Sequence, residues 1–164
     1  MKMVSEDKKL ELIRARKFTG EKPNPQLWSE CDKAYIAGAV DSDGTISSSS
    51  RKNYRYPIFE FKGCSKLPIV LAEEFGISTV RKVPKEPGCF AWNITDQKEL
   101  LKFLLSIEPY LRLKKNEANI ALRMLELLIA KSEKNWKEET TKLSKRLSEI
   151  KENRRNEAIE QWKK

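Results

Sequence analysis

The stretch Ala34–Ile46, "AYIAGAVDSDGTI", decides how the rest of the chain is read. Small residues run through Ala37, Gly38 and Ala39. Two carboxylates follow at Asp41 and Asp43, and the chain turns at Gly44 into a polar, β-branched segment. The small residues suit close helix packing. The acids do not suit a helix C-terminus, where the macrodipole is negative and each exposed carboxylate costs roughly 0.3–1 kcal/mol. A cation at that point reverses the sign. A buried helix with a polar last turn therefore explains the small residues and leaves the acids unexplained. An EF-hand loop also opens Asp-x-Asp, but it needs glycine at its sixth place and glutamate at its twelfth. Those places hold Ile46 and Lys52. A phosphate loop fails as well, because the stretch is short of glycine and its acids repel phosphate.

Working outward, Ser29 with Asp32 three residues on makes a variant capping box for a helix over about 30–41. After Gly44 the period changes. "TISSSSRK" and "YRYPIFEFKG" read as a hairpin turning near residues 52–54. "KLPIVLAEEFG" reads as a helix ending at Gly76. "STVRKV" and "CFAWNIT" make a second hairpin, and Asp96 is the N-cap of an amphipathic helix. A short turn, another long helix and a charged helical tail from about Trp136 follow. Residues 5–18 read as a short charged helix and 19–26 as a Pro/Gly linker. The expected fold is α+β: an αββαββα core with a four-stranded antiparallel sheet, helices on one face, and extra helices at both ends. The expected division is 1–28 for the extension and linker, 29–132 for the core and 133–164 for the charged helix. Phe59 and Phe61 share one sheet face with Phe90, Trp92 and Ile94, which leaves the opposite, polar face open to solvent or ligand.

The 164 residues carry a formal net charge of +9, which favours a polyanionic partner. The opening "MKMVSEDKKLELIRARKF" has no apolar core of a secretion signal. No run reaches the ~18 apolar residues of a membrane span. The expectation is an intracellular protein, in a prokaryotic cytoplasm or an organelle, with a nucleic acid rather than a membrane as partner. Histidine is absent, so His-based triads, metal sites and general bases are excluded. Carboxylates alone favour hard cations. Three cysteines, Cys31, Cys64 and Cys89, with no CxxC spacing, read as reduced thiols, Cys31 being packed within its helix.

The motif residues Ile36-Ala37-Gly38-Ala39-Val40-Asp41-Ser42-Asp43-Gly44 resemble the LAGLIDADG motif, filling all nine of its places. "PYLRLKKNEA" (Pro109–Ala118) is similar to the segment carrying that family's active-site lysine. The αββαββα order is also that of the family, so the resemblance covers about residues 30–130. It implies a homing endonuclease: an intron-encoded, divalent-metal-dependent nuclease that cleaves double-stranded DNA and leaves short 3′ overhangs. The motif occurs once, which in this family implies a homodimer with its motif helices packed at the twofold axis. Ala37 and Gly38 would let the backbones approach there, although the same residues suit packing within one chain. Asp41 would sit at the end of the helix with a structural role.

The axis would bring the two Asp43 carboxylates together, an arrangement that needs a bridging cation. By resemblance, Asp43 and the Ser42 carbonyl bind Mg2+, or Mn2+ or Ca2+ in non-cleaving complexes. Lys114 stands by the reacting phosphate, and Lys62 or Lys66 occupies the fringe of the site. With no histidine, the proton acceptor is left to solvent. The candidate readers of DNA are Ser47, Ser49, Arg51, Asn53, Arg55, Tyr56, Glu60, Thr79, Arg81, Asn93 and Thr95. Arg suits guanine, Asn adenine and Glu cytosine. The rival readings are an intron RNA maturase, a non-cleaving DNA-binding protein on the same scaffold, and a generic basic interaction module.

Overall fold

The structure, a computed structural model, describes residue 25 and residues 28–75, 79–131 and 135–163. Ser29 starts helix α1 (Glu30–Asp43). Its hydroxyl accepts from the Asp32 N–H, and the Asp32 carboxylate accepts from the Ser29 N–H, completing the box expected from the sequence. The helix runs two residues beyond that expectation, so Asp41, Ser42 and Asp43 form its last turn. A Cβ at Gly44 would lie 2.8 Å from both the Cα and the carbonyl oxygen of Val40. Only glycine lets α1 pass directly into strand β1 (Gly44–Arg51).

A two-residue turn leads to β2 (Tyr54–Gly63), followed by α2 (Leu67–Phe75), β3 (Thr79–Lys82) and β4 (Phe90–Ile94). Asp96 then caps α3 (Gln97–Ile107) by accepting from the N–H groups of Lys98 and Glu99. A 3-10 turn (Glu108–Tyr110), α4 (Lys115–Ala130) and α5 (Trp136–Trp162) complete the described chain. The sheet is antiparallel throughout, in the order β1-β2-β4-β3. The α+β, αββαββα expectation therefore holds. The expected helix over 5–18, most of the linker, and Gly76 lie outside the described residues.

The helices bury one face of the sheet. Phe59, Trp92 and Phe103 pack ring against ring with centroids 4.9–5.7 Å apart. Burying each such side chain contributes roughly 1.5–3 kcal/mol. The charged tail does not stand apart from this core. In α5, Thr140, Ser144 and Leu147 are buried. Leu147 packs with Ile120 and Met124 of α4, and the Ser144 hydroxyl bonds that of Ser48 on β1 at 2.6 Å.

The reading of the cysteines needs correction. Cys64 and Cys89 form a disulfide, and Cys31 is exposed rather than packed. The pairing of Gly63 with Phe90 sets residues 64 and 89 opposite each other, a proximity that linear spacing does not show. Among the described residues, no helix is long and apolar enough to cross a membrane.

Candidate active site and nucleic-acid interface

The two aspartates of the motif have different surroundings. Asp41 is half-buried and turned inward. Its carboxylate accepts from the backbone N–H groups of Arg112 (2.8 Å), Leu113 (3.2 Å) and Lys114 (2.9 Å). It thereby caps the segment entering α4, which has no side-chain cap of its own. Asp43 is exposed on the last turn of α1. Among the described residues its carboxylate accepts one hydrogen bond, from the neighbouring Ser42 hydroxyl at 3.2 Å. Asp41 thus braces the helix end and Asp43 is presented outward from it.

Lys114 reciprocates. Its amine donates to the carbonyl oxygens of Val40 (2.7 Å), Asp41 (2.8 Å) and Ser42 (3.2 Å), and the residue is only 7% exposed. Three carbonyls at the negative end of a helix are a natural seat for an ammonium ion. Burial pushes this amine below its ordinary range, and Arg154 acts in the same direction. Asp41, Glu117 and Asp43 pull the other way. Lys114 was expected beside the reacting phosphate; in the structure it is bound within the protein, joining α1 to α4.

Glu117, which sequence reasoning missed, and Arg154 complete this layer. Glu117 is 2% exposed and pairs with Arg154 of α5. The same guanidinium donates to the Leu113 carbonyl at 3.4 Å. The helix far along the chain therefore clamps the segment that carries Lys114. A signal existed: Glu117 lies at helical spacing with Ala121, Met124 and Leu128, all buried, which puts a carboxylate on an apolar stripe.

Ala37 is fully buried within the single chain, so it does not lie on an exposed packing face as expected. The outward side of α1 carries Ala34, Tyr35 and Gly38 instead. A Cβ added at Gly38 meets nothing within 4 Å.

On the open face of the sheet, the register brings together Thr45 and Glu60, Ser47 and Ile58, and Ser49 and Tyr56. Beyond them lie Asn93, Thr79 and Arg81 on β4 and β3. Arg81 pairs with Glu60 at 2.8 Å. With the Asn93 amide oriented so that both its ends are satisfied, its nitrogen donates to Glu60 (2.8 Å) and its oxygen accepts from Arg81 Nε (3.2 Å). Arg55 pairs with Ser50 and alternates with Pro57 and Phe59, so it belongs to the helix-covered side and is exposed only because it lies near the end of the sheet. Arg51 and Asn53 lie at the hairpin tip, and Thr95 follows β4 at the same end. Gly44 pairs with Phe61, so Lys62 is the first residue of β2 past the pairing with β1, at the end of the sheet where α1 meets β1. Its amine is held by Glu86 at 2.6 Å. Lys66 is exposed just before α2.

The donor set around Asp43 suits a hard cation, since it offers an exposed carboxylate oxygen beside the Ser42 carbonyl. It is incomplete within one chain. Among the described residues, the one cluster of three or more candidate metal-binding side chains is Cys64, Glu86 and Cys89, which excludes Asp43.

No family model matches the chain. DNA endonuclease I-CreI of Chlamydomonas reinhardtii is 30% identical over 108 residues, covering 57% of this chain and 62% of that protein. The chain thus spans less than two thirds of that relative's length. Among solved structures, homing endonuclease I-CvuI in complex with its target superposes with a TM-score of 0.64 at 23% identity, over 74% of this chain and 85% of that one. The archaeal intron-encoded homing endonuclease I-Vdi141I complexed with DNA gives 0.66 at 17% identity, over 74% and 84%.

Proposed function

Because this chain has the motif and the fold of the LAGLIDADG homing endonucleases, we propose that it is a site-specific endonuclease acting on double-stranded DNA as a homodimer. The observation that carries the proposal is the contrast within the motif. Asp41 and Lys114 consume the helix-end hydrogen bonds, while Asp43 is left exposed where helix meets sheet. Lys114 already sits on the carbonyls of this helix end, and Asp43 is the carboxylate of the pair left exposed to take a further cation.

Asp43 and the Ser42 carbonyl, with Asp43 of the second protomer, would hold a divalent ion, Mg2+ in the working enzyme. Such an ion supplies a Lewis acid that stabilises charge on the reacting oxygens. Lys114 holds the α1 carbonyls in place and contributes positive charge behind the site. Lys62, released from Glu86, is the nearer candidate for contact with the strand, and Lys66 is a second one.

Gly38 supports the homodimer. Glycine inside a helix costs roughly 0.5–1 kcal/mol relative to alanine, and no neighbour in the protomer requires it. Close approach of a second α1 would. Tyr35, Leu105 and Leu113 are large exposed apolar residues on α1, on α3 and in the segment bonded to Asp41, consistent with cover from a partner.

The ten residues of β2 span roughly 33 Å, or about ten base pairs. Two protomers would cover about 20 base pairs, read as a pseudo-palindrome. The readers would be Ser47, Ser49, Tyr56, Thr79 and the Glu60–Asn93–Arg81 group, with Arg51, Asn53 and Thr95 at the outer end. Binding requires the Glu60–Arg81 pair to exchange partners, which penalises DNA that cannot replace it.

Selection of cleaved sites from a random duplex pool with magnesium tests this reading. We expect one pseudo-palindromic site, with cutting abolished and binding kept in Asp43→Asn. Recovery of RNA ligands alone from a parallel pool would favour an RNA maturase. Continued cutting by Asp43→Asn would remove the metal-ligand assignment. A monomer at micromolar concentration would remove the shared site, and Gly38→Leu should produce that monomer.

A further inference from the structure

At the end of β1 remote from Asp43, the chain builds an open cleft of about 810 Å³ between the β1–β2 turn, the start of α3, the end of α4 and the start of α5. Five cationic side chains line it: Arg51, Lys52, Lys98, Lys131 and Lys137. The one acid, Asp96, is committed to capping α3 through the N–H groups of Lys98 and Glu99. Many of the cations elsewhere are neutralised by carboxylates, including Lys33, Lys62, Arg81, Lys115, Lys142 and Arg154. None of the five in the cleft has a carboxylate partner among the described residues. The Lys137 amine stands over the Trp136 ring, 5.5 Å from its centroid.

The backbone provides an independent observation. Lys52 and Lys131 have φ of 53° and 48°. Lys52 opens the β1–β2 turn and Lys131 is the C-cap of α4. At both places glycine or asparagine adopts the left-handed conformation at lower cost than lysine. Both unfavourable choices put a cation on the same cleft. The third left-handed lysine, Lys85 (φ 66°), is in the β3–β4 connection. Local conformational cost kept at a surface site points to a use for the side chain.

We infer that this cleft is a clamp for the phosphodiester backbone of duplex DNA flanking the sequence-reading sheet. The inference rests on the endonuclease reading above and extends it to a site with no role in cleavage. The eight residues of β1 put the cleft roughly 26 Å from the Asp43 end, or about eight base pairs along the duplex. Lysines on flexible stems act as point charges on phosphate and do not form the bidentate forks that identify bases. Tyr54 and Trp136 are packed edge to face with centroids 5.2 Å apart, so they wall the cleft as a unit. The clamp therefore adds affinity independent of sequence at the outer end of each half-site and lowers the rate of escape from the DNA.

The test compares the full chain with a triple variant, Lys98→Gln/Lys131→Asn/Lys137→Gln. All three residues are exposed, and asparagine relieves the left-handed conformation at position 131, so the melting temperature should stay level or rise. Binding is measured against salt on the selected site carried in a 40-base-pair duplex, and on the same site trimmed to its central 12 base pairs, which end short of the cleft. On the long duplex the variant should bind about 10- to 100-fold more weakly, with a salt slope smaller by up to about five, because three lysines are lost from each of two protomers. On the trimmed duplex the two proteins should bind alike. Equal affinities on the long duplex, or an equal loss on both, would overturn the clamp. If selection yields no site, the endonuclease reading fails, and the same comparison on a random 40-base-pair duplex decides the clamp separately. Preferential binding of single-stranded RNA or DNA at these lysines would also overturn it.

Discussion

Replacing Asp41 by alanine should damage the fold, whereas replacing Asp43 by asparagine should damage only the chemistry. Asp41 accepts three backbone hydrogen bonds from a segment 71–73 residues away. Bonds to a charged acceptor contribute about 1.5–3 kcal/mol each in burial. Asp41 is half-buried, so water reaches part of what the substitution exposes, and loss of a single side-chain cap costs about 0.5–2 kcal/mol. A total near 3 kcal/mol follows for Asp41→Ala. For a chain of this size each kcal/mol moves the melting temperature by about 2–4 °C, so the midpoint should fall by about 6–12 °C. Lys114 would lose its anchoring segment as well. Asp43 is exposed and bonds only its neighbour. Asp43→Asn should stay within about 0.5 kcal/mol of the parent, as surface substitutions do, or gain slightly from removing a charge at the helix end. Calorimetry on both variants, paired with a cleavage assay, reads the two effects separately. Equal melting temperatures for the parent and Asp41→Ala would refute the bracing role. A fall for Asp43→Asn as large as that for Asp41→Ala would refute the division of labour.

Further outcomes follow from the same contacts. The amine of Lys114 is pushed below its ordinary 10.5, chiefly by burial. Below 10.5 the unfolded chain therefore holds more protons at this site than the folded one. The Lys114 contribution to stability should rise with pH from the lowered folded value up to 10.5, read as the difference between the parent and Lys114→Met across an alkaline melting series. A difference that shrinks with pH would contradict the assignment. Arg154→Ala strands the buried Glu117 and should cost about 2 kcal/mol, less than full burial implies because Arg154 is 36% exposed. Chemical denaturation measures this, and cleavage should fall as the Lys114 segment loosens; a neutral result would detach α5 from the site. The Cys64–Cys89 bridge closes a separation of 25 residues, so reduction should cost about 3 kcal/mol. A melting temperature indifferent to reductant would show that the bridge adds nothing.

How much was legible in the sequence differs from residue to residue. The strands could be read because Phe59 and Phe61, or Phe90, Trp92 and Ile94, repeat with a period of two, and each strand must turn its apolar set inward. Ser29 and Asp96 could be read as caps because a cap acts on residues two or three places away. Gly44 followed the same rule, since its steric conflict is with Val40, four residues back. The family resemblance drew on local strings and on the order of elements, and pointed to the αββαββα fold that the superpositions bear out.

The inward turn of Ala37, the side on which Arg55 lies and the bridge between Cys64 and Cys89 were set elsewhere. Each depends on which element packs against which, or on a pairing between strands. The partners of Lys114 lie more than 70 residues away on α1, and Arg154 reaches Glu117 across 37 positions. By itself, the sequence determined the order of the elements and the identity of the acidic pair, because both are written in short-range periodicity. The tertiary structure alone decided which acid holds the frame and which faces outward, because that choice depends on hydrogen bonds that exist only once distant segments have met.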